Sequence, residues 1–209
     1  MAVEAVREKK SILYGIMRVL AFLAIHLFTP VRYHGKEKLR DLDGTVLISN
    51  HVHALDPMIL AWPVRKQCVF LGKKELGSGR FTRWFLNSMN CILVDRHNTD
   101  MQAMRSCMKA LRMGRPLVMF PEGTRKHEGQ MEHIENGASL IVLRGNVPLI
   151  PVYLDRPLKL FRRVNAWVGD PIDYRDLAEK GANAETCGAL NERMRETFRT
   201  MIAGAEKNI

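Results

Sequence analysis

His51 and Asp56 stand five positions apart, directly after the apolar run of residues 45–48, and together they could carry out acid–base chemistry. A histidine side chain has an ordinary pKa of about 6.5, so its imidazole can accept a proton near neutral pH. An aspartate bound to the other ring nitrogen fixes the tautomer and stabilises the imidazolium that forms. The spacing therefore predicts a dyad that removes the proton from a hydroxyl group as that group attacks an electrophile.

A second group of polar residues lies within residues 120–125, which read Phe-Pro-Glu-Gly-Thr-Arg. Gly123 allows a tight turn, Thr124 supplies a hydroxyl group, and Arg125 supplies a guanidinium that is always charged. Such a combination is suited to binding a phosphate group. Glu122 could order the loop by hydrogen bonding. The two groups together predict activation of a hydroxyl beside a site for an anion.

The elements that must position these residues are those of an α/β fold. Short apolar runs alternate with longer amphipathic ones, and several runs are apolar throughout, which is typical of strands covered on both faces. Helices are predicted over residues 99–113, with Thr99 and Gln102 as a capping box, and over residues 185–203. The predicted strands are residues 31–34, 45–49, 67–71, 91–94, 116–120, 149–153 and 165–168. The fold class expected is therefore α/β, a single domain with a mostly parallel central sheet covered by helices.

Both polar groups directly follow predicted strands, residues 45–49 and 116–120. In open α/β sheets, reactive groups gather at strand ends and on the loops that follow them. Asp56 begins the next helical segment, where Pro57 is tolerated in the first turn. We therefore expect the turn between them to fold Asp56 back onto His51, with Arg125 within reach of the same substrate.

Composition limits the classes of partner without choosing among them. The chain has 209 residues, enough for one sizeable core, and a formal net charge of +10. That excess favours a polyanionic partner, such as nucleic acid, an anionic bilayer or a phosphorylated substrate. The four cysteines are scattered without metal or redox spacing, which indicates a reduced, cytosolic setting.

The N-terminal segment is apolar with basic flanks. Residues 11–28 predict a helix roughly 27 Å long, but Arg18 near its middle argues against a simple membrane span. We favour insertion into the headgroup region, with a single pass or packing on the domain as alternatives. The side chains expected in lipid are Ile12, Leu13, Ile16, Leu20, Phe22, Leu23 and Leu27. The predicted division is residues 1–30, a membrane-associated helix, and residues 31–209, the catalytic domain.

The order of these motifs resembles the glycerolipid acyltransferase family, in particular the lysophosphatidic acid acyltransferases. The resemblance rests on His51 with Asp56, on residues 120–125 about 70 positions later, and on residues 147–152 beyond. It covers about residues 24–170, and the ordered set is far more specific than any one motif. A further block matches residues 70–76 leading to residues 94–96.

The resemblance implies transfer of a fatty acyl group from acyl-CoA or acyl-acyl carrier protein to the free hydroxyl of a lysophospholipid. It also implies no metal, no cofactor and no covalent acyl-enzyme. His51 and Asp56 would be catalytic, and the substrate-binding residues would be Lys74, Arg96, Glu122, Gly123, Thr124 and Arg125. Residues 134–138 lack a lysine that family members often carry, so the acceptor stays open among lysophosphatidic acid, another lysophospholipid and glycerol 3-phosphate.

Partners and location follow as expectations. The expected partners are the phospholipid bilayer, the lysophospholipid and the acyl donor, with no nucleic acid, and the expected location is the cytoplasmic face of the cell membrane. Basic residues between Arg65 and Arg83, interleaved with Phe81, Trp84 and Phe85, favour a surface that meets membrane and headgroup together. A non-catalytic membrane-surface or nucleic-acid-binding module is the rival hypothesis. It leaves the His51 and Asp56 pairing without an explanation.

Overall fold

A single seven-stranded sheet forms the centre of the protein. The structure is a computed structural model that describes residues 11–95, 100–125 and 131–207. In chain order the strands are β1 Val31–His34, β2 Val46–Ser49, β3 Val69–Lys73, β4 Cys91–Val94, β5 Leu117–Met119, β6 Leu149–Leu154 and β7 Val164–Val168. They lie in the order β1-β7-β6-β2-β5-β3-β4, and every neighbouring pair is parallel except β6 with β7. This confirms the predicted α/β class, and each predicted strand is present.

Helices cover both faces of the sheet and divide the apolar core into two parts. The helices are α1 Ile12–Phe28, α2 Asp56–Ala61, α3 Arg80–Ser88, α4 Met101–Arg112, α5 Asn136–Gly145, α6 Arg175–Ala178 and α7 Ala184–Glu206. In β2, Val46 and Ile48 pack on the side of α4, α5 and α7, whereas Leu47 packs on the side of α1 and α2. Because successive side chains of a strand point to opposite faces, a strand buried on both faces reads as a continuous apolar run.

Helix α4 begins one residue later than its sequence pattern suggests. The carboxylate of Asp100 accepts hydrogen bonds from the backbone N–H groups of Gln102 and Ala103, at 3.1 and 2.8 Å. Asp100 is therefore the N-cap, and the predicted capping box of Thr99 with Gln102 is wrong. Aspartate caps a helix as well as threonine or better, so adjacent candidates could not be separated by residue type alone. Thr99 itself lies outside the described residues.

Helix α1 packs one side on the domain through buried and polar contacts. Tyr14 is fully buried, and its hydroxyl accepts a hydrogen bond from the backbone N–H of Cys68. The guanidinium of Arg18 donates to the carbonyl of Val64 at 2.7 Å and lies over the ring of Trp62. Arg18 thus turns toward the protein, and this explains how a charged residue can stand in the middle of an apolar helix.

The opposite side of α1 presents apolar side chains to the surroundings. Its exposed apolar residues are Ile12, Ile16, Val19, Leu20, Leu23, Leu27 and Phe28. Phe22, which the sequence placed in lipid, instead stacks on Trp62 with ring centroids 3.5 Å apart. Among the helices of the described residues, none is long and apolar enough to cross a membrane.

The carboxyl ends of β2, β3, β5 and β6 meet at one edge of the sheet, which we call the carboxyl edge. Because β7 is antiparallel to β6, and β1 is parallel to β7, both of these strands begin at that edge. Helix α1 leads into β1, so its C-terminal end also lies there. The carboxyl edge therefore collects the loops after β2 and β5 together with the end of α1.

The basic run between residues 65 and 83 does not form the single surface expected from the sequence. Arg65 and Lys66 precede β3 and pair with Asp41 and Asp43. Strand β3 then carries the chain across the sheet, so Lys74 and the residues after it lie at the carboxyl edge. The expectation was wrong because a run that is continuous in sequence is divided between opposite ends of a strand.

Candidate active site

His51 and Asp56 meet at the carboxyl edge as their spacing predicts. The loop after β2 turns back so that His51 Nδ1 lies 2.9 Å from Asp56 Oδ2. Because Oδ2 is an acceptor, Nδ1 is the donor of this bond, and in the neutral imidazole Nε2 is then the nitrogen that can accept a proton. The His51 side chain is 20% exposed and that of Asp56 is 0% exposed. The imidazole therefore presents a proton-accepting nitrogen from a rigid, half-buried position.

The carboxylate of Asp56 is held by the loop that it orients. Its Oδ2 also accepts the backbone N–H groups of Val52 at 2.8 Å and His53 at 2.7 Å. Asp56 is the first residue of α2, where a negative charge is favoured by the helix dipole. Within the described part of the chain, its other oxygen, Oδ1, has no hydrogen-bond partner. One oxygen thus fixes both the loop and the imidazole.

Phe120, directly after β5, packs against one face of the His51 imidazole. The rings of His51 and Phe120 stack with centroids 4.1 Å apart at an interplanar angle of 23°. A hydrogen bond at Nδ1 and a ring against the face together leave the imidazole little freedom to rotate. Phe120 was not among the predicted site residues, because no sequence signal indicates a ring contact between separate loops.

The loop after β5, residues 120–125, makes the tight turn that Gly123 predicts. Gly123 has φ of 70°, in the left-handed region, and its N–H donates to the carbonyl of Phe120 at 3.0 Å. Glu122 is buried, and its two carboxylate oxygens accept different backbone N–H groups. Oε2 accepts from His51 at 3.1 Å and Oε1 from Met131 at 2.8 Å. Glu122 therefore ties the loop that carries His51 to the loop after β5.

Replacing Glu122 by glutamine is expected to lower the free energy of unfolding by about 1–3 kcal/mol, because one buried N–H would then face an amide donor. Chemical denaturation measures the loss. Glu132→Gln is the matched control, since Glu132 is exposed, and it should leave stability nearly unchanged. Equal stability of both variants would show that the bridge between the loops contributes nothing.

The structure describes the positions of Thr124, Arg125 and Lys74, but not that of Arg96. Thr124 and Arg125 are exposed at the end of the loop after β5. Lys74 follows β3 at the carboxyl edge, and its Nζ lies 3.4 Å from Asp95 Oδ2. Arg96 lies outside the described residues. The structure thus joins the loop that carries Gly123, Thr124 and Arg125 to the dyad loop, through the contacts of Phe120 and Glu122 with His51.

Asn50 is a positioning residue that the sequence analysis did not assign to the site. Its side-chain amide donates to the carbonyl of Leu154 and accepts the N–H of the same residue, each at 2.8 Å. This pairing joins the end of β2 to the end of β6 immediately before His51. A buried asparagine directly after an apolar strand was the available signal, since such a group must find partners.

Cys91 is not an alternative nucleophile, because it begins β4, at the end of the sheet opposite the carboxyl edge and three strands from β2. Burial raises the pKa of the Cys91 thiol to about 12, so this cysteine stays protonated at neutral pH. His53 Nδ1 accepts the backbone N–H of Leu55 and shapes the turn. Among the described residues, no three His, Cys, Asp or Glu side chains are grouped so that they could hold a metal ion.

Known proteins resemble this chain in sequence and in fold. A 1-acyl-sn-glycerol-3-phosphate acyltransferase of Streptococcus pneumoniae is 29% identical over 203 residues, covering 93% of this chain and 75% of that protein. An enzyme of the same name from Bacillus subtilis is 29% identical over 79% of this chain and 87% of its own. The crystal structure of the 1-acyl-sn-glycerophosphate (LPA) acyltransferase PlsC from Thermotoga maritima superposes with a TM-score of 0.70. It covers 93% of this chain and 80% of its own at 19% identity, which shows a shared fold.

A family model adds the remaining step. The model described as Acyltransferase matches residues 30–155, more than half of the chain, and this span contains both the dyad and residues 120–125. The resemblance drawn from the order of the motifs is thereby confirmed. This chain belongs to the acyltransferase family of enzymes.

Proposed function

We propose that this enzyme transfers a fatty acyl group from an acyl thioester to the free hydroxyl of lysophosphatidic acid, giving phosphatidic acid for phospholipid synthesis. One observation carries the proposal. The His51 and Asp56 dyad is in direct contact, through Phe120 and Glu122, with the loop that presents Gly123, Thr124 and Arg125. A proton acceptor therefore stands beside a loop suited to hold the phosphate of the molecule whose hydroxyl must react. The names of the bacterial relatives support the same acceptor.

The geometry supports a direct, single-displacement reaction. Nε2 of His51 removes the proton of the acceptor hydroxyl as its oxygen attacks the thioester carbonyl. The tetrahedral intermediate then collapses, the carbon–sulfur bond breaks, and the leaving thiolate takes the proton from the imidazolium. The negative charge of Asp56 stabilises the imidazolium between these two transfers.

Positioning of the two substrates is expected to contribute more to this reaction than proton transfer, which supplies about 10²- to 10⁴-fold. Holding the lipid hydroxyl beside the thioester can lower the activation free energy by roughly 7–11 kcal/mol. We assign the phosphate to Arg125 with the loop of Gly123 and Thr124, and we propose that Lys74 and Arg96 complete the anion site. Glu122 acts through the loop, because both of its oxygens are already occupied by backbone N–H groups.

The proposal includes no cofactor and no metal, because a thioester donor already carries an activated acyl group. Acyl-CoA and acyl-acyl carrier protein both meet this requirement, and assays with each donor will separate them. We place the enzyme on the cytoplasmic face of the membrane, with the exposed side of α1 in the headgroup region of the bilayer. The apolar row from Ile12 to Phe28 supports this placement.

Arg125→Ala tests the proposed acceptor. It is expected to raise the KM for lysophosphatidic acid about 10- to 100-fold, because a charge-assisted hydrogen bond contributes about 1.5–3 kcal/mol. Acylation of a monoacylglycerol, which lacks the phosphate, should be slow and insensitive to the change. Steady-state assays with both acceptors measure the contrast.

Arg112→Ala is the matched control for this experiment. Arg112 is an exposed arginine in the last turn of α4, at the end of the sheet opposite the carboxyl edge, and its loss should not alter KM. A panel including glycerol 3-phosphate and other lysophospholipids completes the test. If another acceptor reacts fastest and Arg125→Ala leaves the KM for lysophosphatidic acid unchanged, the proposed substrate is wrong.

A further inference from the structure

A short hairpin between β6 and β7 presents apolar side chains between basic ones. Residues 159–163 read Lys-Leu-Phe-Arg-Arg, and all five are exposed. The N–H of Arg162 donates to the carbonyl of Lys159 at 3.1 Å, which closes a tight turn with Leu160 and Phe161 at its tip. Leu160 is 64% exposed and Phe161 is 76% exposed. Two large apolar side chains exposed together at the tip of a surface turn are typical of a site that contacts a membrane or another protein.

The backbone at the tip makes the choice of residue more informative. Phe161 has φ of 56°, in the left-handed region that favours glycine or asparagine. A bulky side chain in this region carries a strain that a surface turn would normally avoid. An exposed phenylalanine held against its backbone preference points to a role for the ring itself.

The hairpin lies at the carboxyl edge and is continuous with the end of α1. The N–H of Phe161 donates to the carbonyl of Phe28 at 2.7 Å, and the hydroxyl of Thr29 donates to the carbonyl of Lys159 at 3.1 Å. The hairpin follows β6, whose last residue, Leu154, pairs with Asn50 next to His51. The hairpin tip, the exposed end of α1 and the dyad loop therefore belong to the same side of the molecule.

Basic side chains surround the tip. Lys159, Arg162 and Arg163 are exposed, and within the described ranges none of them takes part in an ion pair with an acidic side chain. In contrast, Arg156 pairs with Asp155 at the base of the hairpin. Unneutralised basic residues around exposed apolar ones match a surface that is anionic outside and apolar beneath.

We propose that this hairpin inserts Leu160 and Phe161 into an anionic phospholipid bilayer, while Lys159, Arg162 and Arg163 bind the headgroups. It forms a second membrane contact beside α1 and turns the carboxyl edge toward the bilayer. The inference rests on the proposed function in that the acceptor is a bilayer lipid that reaches His51 from that side. An acidic acyl carrier protein is the competing occupant, and the experiment below separates the two.

Three variants of the full chain test the hairpin. The double variant Leu160→Ser with Phe161→Asn removes the apolar tip, and asparagine suits the left-handed backbone, so the melting temperature should stay equal or rise. Arg162→Ser with Arg163→Ser removes two headgroup contacts. Arg112→Ser with Lys180→Ser is the control, because it removes the same charge from exposed positions at the opposite end of the sheet.

Binding to phosphatidylcholine vesicles with and without phosphatidylglycerol is measured by sedimentation. Both hairpin variants should bind anionic vesicles at least about tenfold more weakly than the wild type, and the control should not. Only the arginine variant should lose the preference for phosphatidylglycerol. Vesicle binding equal to the wild type in both hairpin variants would overturn the proposal.

Turnover separates the hairpin from the active site. Acylation of a short-chain lysophosphatidate dissolved below its micelle concentration should be unchanged in the hairpin variants, whereas acylation of vesicle-embedded lysophosphatidate should fall with binding. If vesicle binding is unchanged and the KM for acyl-acyl carrier protein rises instead, the hairpin docks the carrier and the proposal fails. If the wild type acylates no lysophosphatidate, the proposed function fails, and the vesicle experiment still decides the hairpin.

Discussion

Replacing His51 by alanine is expected to lower kcat for acyl transfer by about 10²- to 10⁴-fold while leaving the fold intact. The imidazole is the group of the dyad that faces the substrate, since Nδ1 is bound to Asp56 and Nε2 is left to accept a proton. Asp56 keeps the N–H groups of Val52 and His53 as donors when the imidazole is removed, so the loop should hold its shape. Release of CoA or carrier thiol with purified enzyme measures kcat, and thermal unfolding checks the fold.

Two variants make the loss interpretable. His51→Asn keeps a donor that can reach Asp56 but cannot accept a proton, so it should be as inactive as the alanine variant. His53→Ala is the matched control, because His53 stands on the same loop and only shapes the turn. Its activity should stay within a few-fold of the wild type. A His51 variant that still turns over near the wild-type rate would show that another group accepts the proton. Normal vesicle binding with no acyl transfer, even by the wild type, would favour the non-catalytic hypothesis.

Local patterns were sufficient to predict the strands and the dyad. A strand buried on both faces is apolar throughout, as in residues 46–48, and this property is readable from a short window. His51 and Asp56 belong to a single loop, so their contact needs only one turn, and Pro57 marks where the next helix begins. The histidine and the aspartate could therefore be paired before any sheet order was known.

Contacts between separate loops could not be predicted in this way. Glu122 meets the backbone of His51 only because β2 and β5 are neighbours in the sheet, and Asn50 meets Leu154 only because β2 also borders β6. The order of the strands in the sheet cannot be read from the periodicity of apolar residues in the sequence. The same reason separates the basic residues before β3 from those after it, although they form one run in the sequence.

The structure shows which residues of α1 face the domain and which are exposed, and the composition of the helix did not predict this division. Phe22 and Leu23 are equally apolar, yet Phe22 stacks on Trp62 while Leu23 is exposed. Which residues face the domain depends on how the helix rotates to bring Tyr14 and Arg18 to their partners. A helix that is apolar on most of its surface does not by itself fix that rotation.

Replacing Asp56 by asparagine is expected to reduce kcat by about 10²- to 10⁴-fold with little change in stability, because it removes the charge and keeps the geometry. Asparagine can place its carbonyl oxygen where Oδ2 accepts three hydrogen bonds. Its amide then occupies the position of Oδ1, which has no partner among the described residues, so no hydrogen bond is lost. The KM for lysophosphatidate should be nearly unchanged.

Asp56→Ala would not answer the same question. It leaves the buried N–H groups of Val52 and His53 without an acceptor, and each such group costs about 1–3 kcal/mol, so any loss of activity could reflect a displaced loop. The informative comparison is between His51→Asn, Asp56→Asn and the variant that carries both. If the carboxylate acts only by stabilising the imidazolium, the double variant should be no slower than His51→Asn alone. A further loss in the double variant would show that Asp56 supports the reaction by a route that does not pass through the imidazole.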